Sequence, residues 1–107
     1  MIKVINKYKD RTSDGVRINI MRGTPLGNRY IMSDSSQRDL VCDKYRKWLP
    51  IAYELDDKVY KAISSIRELS KNKTVLLECC CKPKRCHGDE IKAFIDWLDT
   101  NNITKGE

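Results

Sequence analysis

The residues best suited to chemistry in this chain lie in one stretch, LLECCCKPKRCHGDE, from Leu76 to Glu90. It holds Cys79, Cys80, Cys81 and Cys86, four of the five cysteines, and the only histidine, His87. Such a cluster could serve as a zinc site, a disulfide, a nucleophile with its base, or part of a ligand pocket. Cys79, Cys81, Cys86 and His87 are ligand types that zinc takes. Structural zinc sites, however, draw them from separated Cys-x2-4-Cys knuckles or from a knuckle and a distant histidine pair. Here all four would come from nine consecutive residues, with Cys86 and His87 adjacent, so no metal is expected. Disulfides are disfavoured by a reducing compartment, and Cys79 and Cys80 would point to opposite faces of a strand. No cofactor is expected either.

Read as a pocket, the stretch has a clear logic. Cys79 and Cys81 lie two apart at the end of an apolar strand and share a face. Pro83 turns the chain outward, and Cys86-His87-Gly88 arrives at the start of a helix. Ligands of open α/β sheets bind outside the carboxyl ends of strands, where helix N-termini offer unpaired N–H groups. That field, with Lys82, Lys84 and Arg85 beside it, is expected to make Cys86 thiolate-like. Cys86 and His87 are the candidate catalytic pair, with His87 donating a hydrogen bond or shuttling a proton. Cys80 and Cys42 are expected to be buried, inert thiols.

A second loop, RGTPLGN from Arg22 to Asn28, has the composition of an anion site. Gly23 and Gly27 permit unusual backbone angles or close approach to a ligand. Arg22 offers a planar fork for phosphate or carboxylate, and Thr24 and Asn28 add hydrogen-bonding groups. The loop is neither G-x-G-x-x-G nor G-x4-G-K-[ST], so neither nucleotide fingerprint applies.

These loops need strands and helices to position them. Ile2 to Tyr8 alternates imperfectly and VRINI alternates cleanly, with Asp14-Gly15 as a turn between them. The pair is expected to form a hairpin, with a longer crossover as the alternative. Asp34 and Gln37 sit at capping-box spacing before a helix bearing Val41, Tyr45, Trp48 and Ala52. Pro50 should end or kink that helix near Leu49. A second helix is expected from Asp56, on Val59, Ala62, Ile63, Ile66 and Leu69. TVLLECC reads as a strand buried on both faces, and Asp89 to Asp99 as the last helix. Tyr45, Trp48 and Phe94 are expected in the core. The order strand, strand, helix, helix, strand, helix predicts one compact α/β domain over residues 1–99. It has a small, mainly parallel sheet with three helices packed on it, and residues 100–107 form a flexible tail.

Composition limits the function classes. The chain has 107 residues and no apolar run near the roughly 20 residues of a membrane span, so a cytoplasmic protein without membrane contact is expected. A net charge of +6 admits an anionic partner, nucleic acid included. The basic residues are spread along the chain, however, with no arginine-rich arm or helix-turn-helix spacing, so a solvated basic surface is the alternative reading.

Two motifs together, Arg22, Gly23, Pro25, Leu26, Gly27 and Asn28, then Cys79, Cys81, Pro83, Cys86, His87 and Gly88, resemble the signature of the domain of unknown function 4326 family. The likeness runs from about Val16 to Leu98. These are small proteins of phages and prokaryotes. Thr24 stands where the family often has Ser, keeping the hydroxyl, and Arg29 where it often has Pro. A weaker likeness is to domain of unknown function 488, which also ends a strand in Cys and opens a helix with Cys-His, but follows it with Arg where this chain has Gly88. The resemblance implies a shared α/β pocket. The function expected is binding of a phosphate-bearing small molecule, a nucleotide or nucleotide derivative, between the two loops. Arg22, Gly23, Thr24, Gly27, Asn28, Cys79, Cys81 and Gly88 would be the binding residues. The alternatives are a sponge for a nucleotide signal in host defence, which the family's phage association suggests, a nucleotide-processing enzyme using Cys86 and His87, and a basic nucleic-acid accessory protein.

Overall fold

The central strand is written most plainly in the sequence. β3 (Val75–Cys79) is the continuous apolar run, and Val75, Leu76 and Leu77 are all buried. A run of this kind suits a strand covered on both faces. It is flanked by β1 (Ile2–Asn6) and β2 (Val16–Asn19), in a three-stranded sheet ordered β1-β3-β2 with both pairings parallel. Ile2 and Val16 both stand opposite Val75, so the three strands end together and their following loops meet at one edge. The structure, a computed structural model, describes residues 1–11 and 14–102.

β1 and β2 therefore form no hairpin; of the two connections the sequence allowed, the crossover is the one found. Alternation reports that a segment is a strand, but it carries no information about partner or direction. Thr12 and Ser13 of the turn lie outside the described residues. β1 also stops earlier than Tyr8. The Asn6 side-chain oxygen accepts the N–H groups of Tyr8 and Lys9 and curls the chain out of the sheet.

One face of the sheet builds the core. Ile2, Val4, Ile18, Ile20, Val75, Leu77 and Cys79 join the helical residues Tyr45, Leu49, Tyr53, Ile63, Ile66, Ile91, Ile95 and Leu98. The other face carries the Arg17–Glu78 ion pair at 2.8 Å, bridging β2 to β3. α2 (Asp57–Ser70) and α3 (His87–Thr100) contact the sheet, and α1 (Arg38–Leu55) packs against both helices. Tyr45 and Phe94 are core or core-packed, as expected, with Trp48 half-buried beside them.

Three helix boundaries differ from expectation. α1 continues past Pro50 to Leu55. Proline deprives the Arg46 carbonyl of its usual donor, yet Arg46 and Pro50 are both exposed, so water can satisfy that oxygen. Buried Tyr45, Leu49, Ala52 and Tyr53 hold the helix on either side. Asp34 caps a single 3-10 turn, Ser35–Gln37, by accepting the Ser36 N–H, while Gln37 turns back to Ser33 instead of closing the box. α3 begins two residues before Asp89, because the Asp89 carboxylate accepts the Cys86 N–H from the third helical position. Asp56 closes α1 and caps α2 through the Lys58 N–H at 2.9 Å. Of the expected tail, Thr100 belongs to α3 and residues 103–107 lie outside the described residues.

Candidate ligand pocket

A single residue seats the first loop. Leu26 is buried, and the Tyr45 hydroxyl reaches from α1 to donate 2.7 Å to the Leu26 carbonyl. The loop's other polar groups are largely spent on itself. The Thr24 hydroxyl donates to the Met21 carbonyl, the Gly27 N–H to the Thr24 carbonyl, and the Asn28 oxygen accepts the Tyr30 N–H. Gly23 adopts φ +96°, a backbone state that favours glycine. Gly27 is needed because a Cβ there would meet the Met21 carbonyl oxygen at 2.7 Å. That close approach is to the loop's own start. Arg22 alone is left exposed, with no side-chain partner among the described residues.

The second loop is held by Asn6 at the end of β1. Its side-chain amide donates to the Lys82 carbonyl at 2.8 Å and more weakly to that of Cys80 at 3.4 Å. Gly88, in the first turn of α3, is also a packing residue. A Cβ there would meet Val4 at 2.7 Å and Ile20 at 2.9 Å, so glycine lets the helix start lie close on the sheet.

The charges here are mostly committed. Arg85 is gripped by Asp39 at 2.9 Å, Asp43 at 2.8 Å and Glu90 at 2.6 Å. Lys82 pairs with Asp89. Arg38 reaches across to the Arg85 carbonyl at 3.1 Å.

The Cys86–His87 pair does not form. The Nε2 of His87 lies 2.6 Å from the Ile20 carbonyl, which requires the proton on Nε2 and makes that nitrogen the donor. Burial pushes its pKa below the ordinary value, although the Ile20 carbonyl and Asp89 act against that shift. Cys86 instead faces Cys79, with the two sulfurs 3.3 Å apart and both buried. The Cys86 thiol donates to Cys79, which holds Cys79 well below the usual thiol range against the opposing effect of burial. The backbone N–H groups of Cys81 and Lys82 and the Lys82 ammonium add to this. The same bond, together with burial and the charge on Cys79, raises Cys86. The expected thiolate is therefore displaced by one position in the pair. The helix-start argument assigned it to Cys86, but the residue with more donors around it is Cys79. With Cys79 and Cys86 facing each other and His87 turned to Ile20, no group of three or more His, Cys, Asp or Glu is placed to hold a metal among the described residues.

Between the loops lies a pocket of about 370 Å³. Arg22, Asn28, Cys81, Cys86 and His87 line it, so residues from both predicted loops meet in one place. Gly23, Thr24, Gly27, Cys79 and Gly88 do not line it. Arg85, expected beside the site as added charge, lines the pocket, whereas the sequence reading missed Arg38 and an apolar wall of Met21, Tyr30, Ile31, Met32 and Val41. Cys42 is buried as expected and lines the pocket, whereas Cys80 is exposed at it, because it falls just past the end of β3. Asp39 and Asp43, one helical turn apart, are the one sequence signal that could have announced a seat for Arg85.

The fold and the pocket define a small α/β protein whose parallel strands end at a site shared by two loops. The chain belongs to the family described as Domain of unknown function (DUF4326), which it matches over residues 4–97. It is also similar to a protein of Enterobacteria phage T4 described as "Uncharacterized 12.4 kDa protein in nrdA-td intergenic region". Identity there is 30% over 98 residues, covering 92% of this chain and 81% of that protein. No solved structure matches. Among the described residues, no helix is long and apolar enough to cross a membrane.

Proposed function

We propose that the pocket binds a phosphate-bearing small molecule, a nucleotide or nucleotide derivative. One observation carries this reading: unpartnered Arg22 shares a pocket with an apolar wall of Met21, Tyr30, Ile31 and Met32. Arg22 would hold the anion through its planar fork, with Arg38 as a second cation. The apolar wall would cover a flat ring. The volume of about 370 Å³ falls in the ordinary range for small-molecule sites, roughly 300–1,000 Å³. A site of this kind fits a cytoplasmic protein, in a phage host if the gene is phage-borne. Because His87 is bonded to Ile20 and does not face Cys86 as a base, sequestration of a nucleotide signal is favoured over nucleotide processing by that pair.

A thermal-shift screen against nucleotides and sugar phosphates tests this, since a ligand at 100 times its Kd stabilises by about 2.7 kcal/mol. Calorimetry on the best ligand should show Arg22→Ala weakening binding by about 1.5–3 kcal/mol, the range for hydrogen bonds to charged groups. Arg38→Ala should weaken it too, and the double variant should lose less than the sum. Affinity should change little between 50 and 200 mM salt, whereas duplex binding would fall by roughly 10³–10⁵. No stabilisation by any nucleotide, or strict additivity of the two substitutions, defeats the reading.

A further inference from the structure

The pocket wall contains a thiol whose proton acceptor is another thiol. Cys86 lines the pocket, and Cys79 lies directly behind it, 3.3 Å away sulfur to sulfur, at the end of the central strand. Neither is bridged. This is the arrangement of an attacking thiol with a resolving partner, in which one sulfur faces the reactant and the second stands within reach of the first. The surroundings of Cys79, with two backbone N–H groups and the Lys82 ammonium, suit a negative charge on sulfur.

From this geometry we infer that Cys86 and Cys79 carry out thiol–disulfide exchange with a small disulfide bearing carboxylates, admitted to the pocket beside Arg22. The inference does not rest on nucleotide binding. The Cys79 thiolate accepts the Cys86 proton as Cys86 attacks one sulfur of the small disulfide. A bond forms from Cys86 to that sulfur, the disulfide's own S–S bond breaks, and one small thiolate leaves, taking the proton from Cys79. Cys79 then attacks Cys86, forming the Cys79–Cys86 disulfide and expelling the second small thiolate. The two electrons lost by the cysteine pair reduce the small disulfide to two thiols, and an excess of the small thiol drives the reverse reaction. Burial supplies the selectivity. Cys86 is 2% exposed and is reached through the pocket, where Arg22 and Arg38 can receive the reactant's carboxylates.

The test uses the reduced full chain with oxidised glutathione as the probe and no nucleotide present, followed by intact mass measurement and peptide mapping. The expected product is a Cys79–Cys86 cross-link without retained glutathione. Cys79→Ser should stop at one glutathione on Cys86. The double variant Cys80→Ser with Cys81→Ser removes the more accessible thiols and should still form the cross-link. Arg22→Ala should slow the reaction with oxidised glutathione by about tenfold, the effect of losing one charge-assisted contact, but not with the uncharged 2-hydroxyethyl disulfide. Glutathione retained on Cys80 or Cys81 with Cys79 and Cys86 still reduced overturns the proposal. So does loss of the cross-link in the Cys80/Cys81 double variant with its melting temperature unchanged. Should Cys79→Ser fail to fold, the wild-type peptide map decides alone.

Discussion

The two walls of the pocket have similar compositions and opposite states of commitment. The Arg22–Asn28 wall hangs on Leu26 and Tyr45 and leaves its one cation without a partner among the described residues. The Cys79–Gly88 wall contains more charge and more reactive groups, and nearly all of them are bonded within the protein. Arg85 is held by three carboxylates, Lys82 by Asp89, His87 by the Ile20 carbonyl and Cys86 by Cys79. Residue type therefore does not measure availability. A guanidinium with three carboxylates around it is a structural rivet, while the same group without partners is a binding element.

If that contrast holds, the first wall should fail through its anchor. Leu26→Ala removes a buried side chain beneath the loop and should cost about 2–5 kcal/mol, measured by denaturant unfolding. A loss below about 1 kcal/mol would mean that the loop rides on the core without being seated in it, and the first half of the comparison would go.

A smaller effect separates the two arginines. Arg85→Ala should destabilise the fold by about 1 kcal/mol, because three carboxylates lose their shared cation in a partly exposed network. Arg22→Ala should leave the unfolding midpoint within about 0.5 kcal/mol of wild type, as expected of an exposed side chain with no partner. Equal effects in a thermal melt would erase the distinction between rivet and binding element.

How far these roles could be read in advance varies with the physics behind each. β3 was legible because a short apolar run bounded by polar residues has few other uses, and α2 because Val59, Ile63 and Ile66 repeat at helical spacing. The β1–β2 partnership was not legible, since period-2 alternation is the same for any neighbour. The path of α1 through Pro50 depended on which side of the helix met water, a tertiary fact. In the site, the two loops were visible from residue types alone. The thiolate's position was not: it depends on which sulfur collects the N–H groups of Cys81 and Lys82, which the fold decides by curling the chain after β3. Asn6 was hidden for a similar reason. A polar residue at a strand end is common, and only the structure shows it clasping the loop some seventy positions away at Lys82.

The finest test of the committed wall is its pH dependence. His87 is the only histidine, it is buried against Tyr45, and burial holds its folded-state pKa below the ordinary value of 6.5. As pH falls through 6.5, the unfolded chain takes up a proton that the folded chain still refuses, so stability declines until pH passes the folded value. The contribution is fully present above that range. Cys79, also held low, loses its own contribution as pH falls from the thiol range, so the absolute slope mixes two groups. The difference between wild type and His87→Gln isolates the imidazole. Urea unfolding at steps from pH 7.5 to 5 should show wild type losing stability faster than the variant at the acid end, by less than about 1.4 kcal/mol for each pKa unit of depression. Parallel curves would mean that His87 is free to take a proton in the folded state, so that burial does not hold the ring neutral. His87 would then return to the list of groups open to a ligand, and the two walls would differ less than their bonding implies.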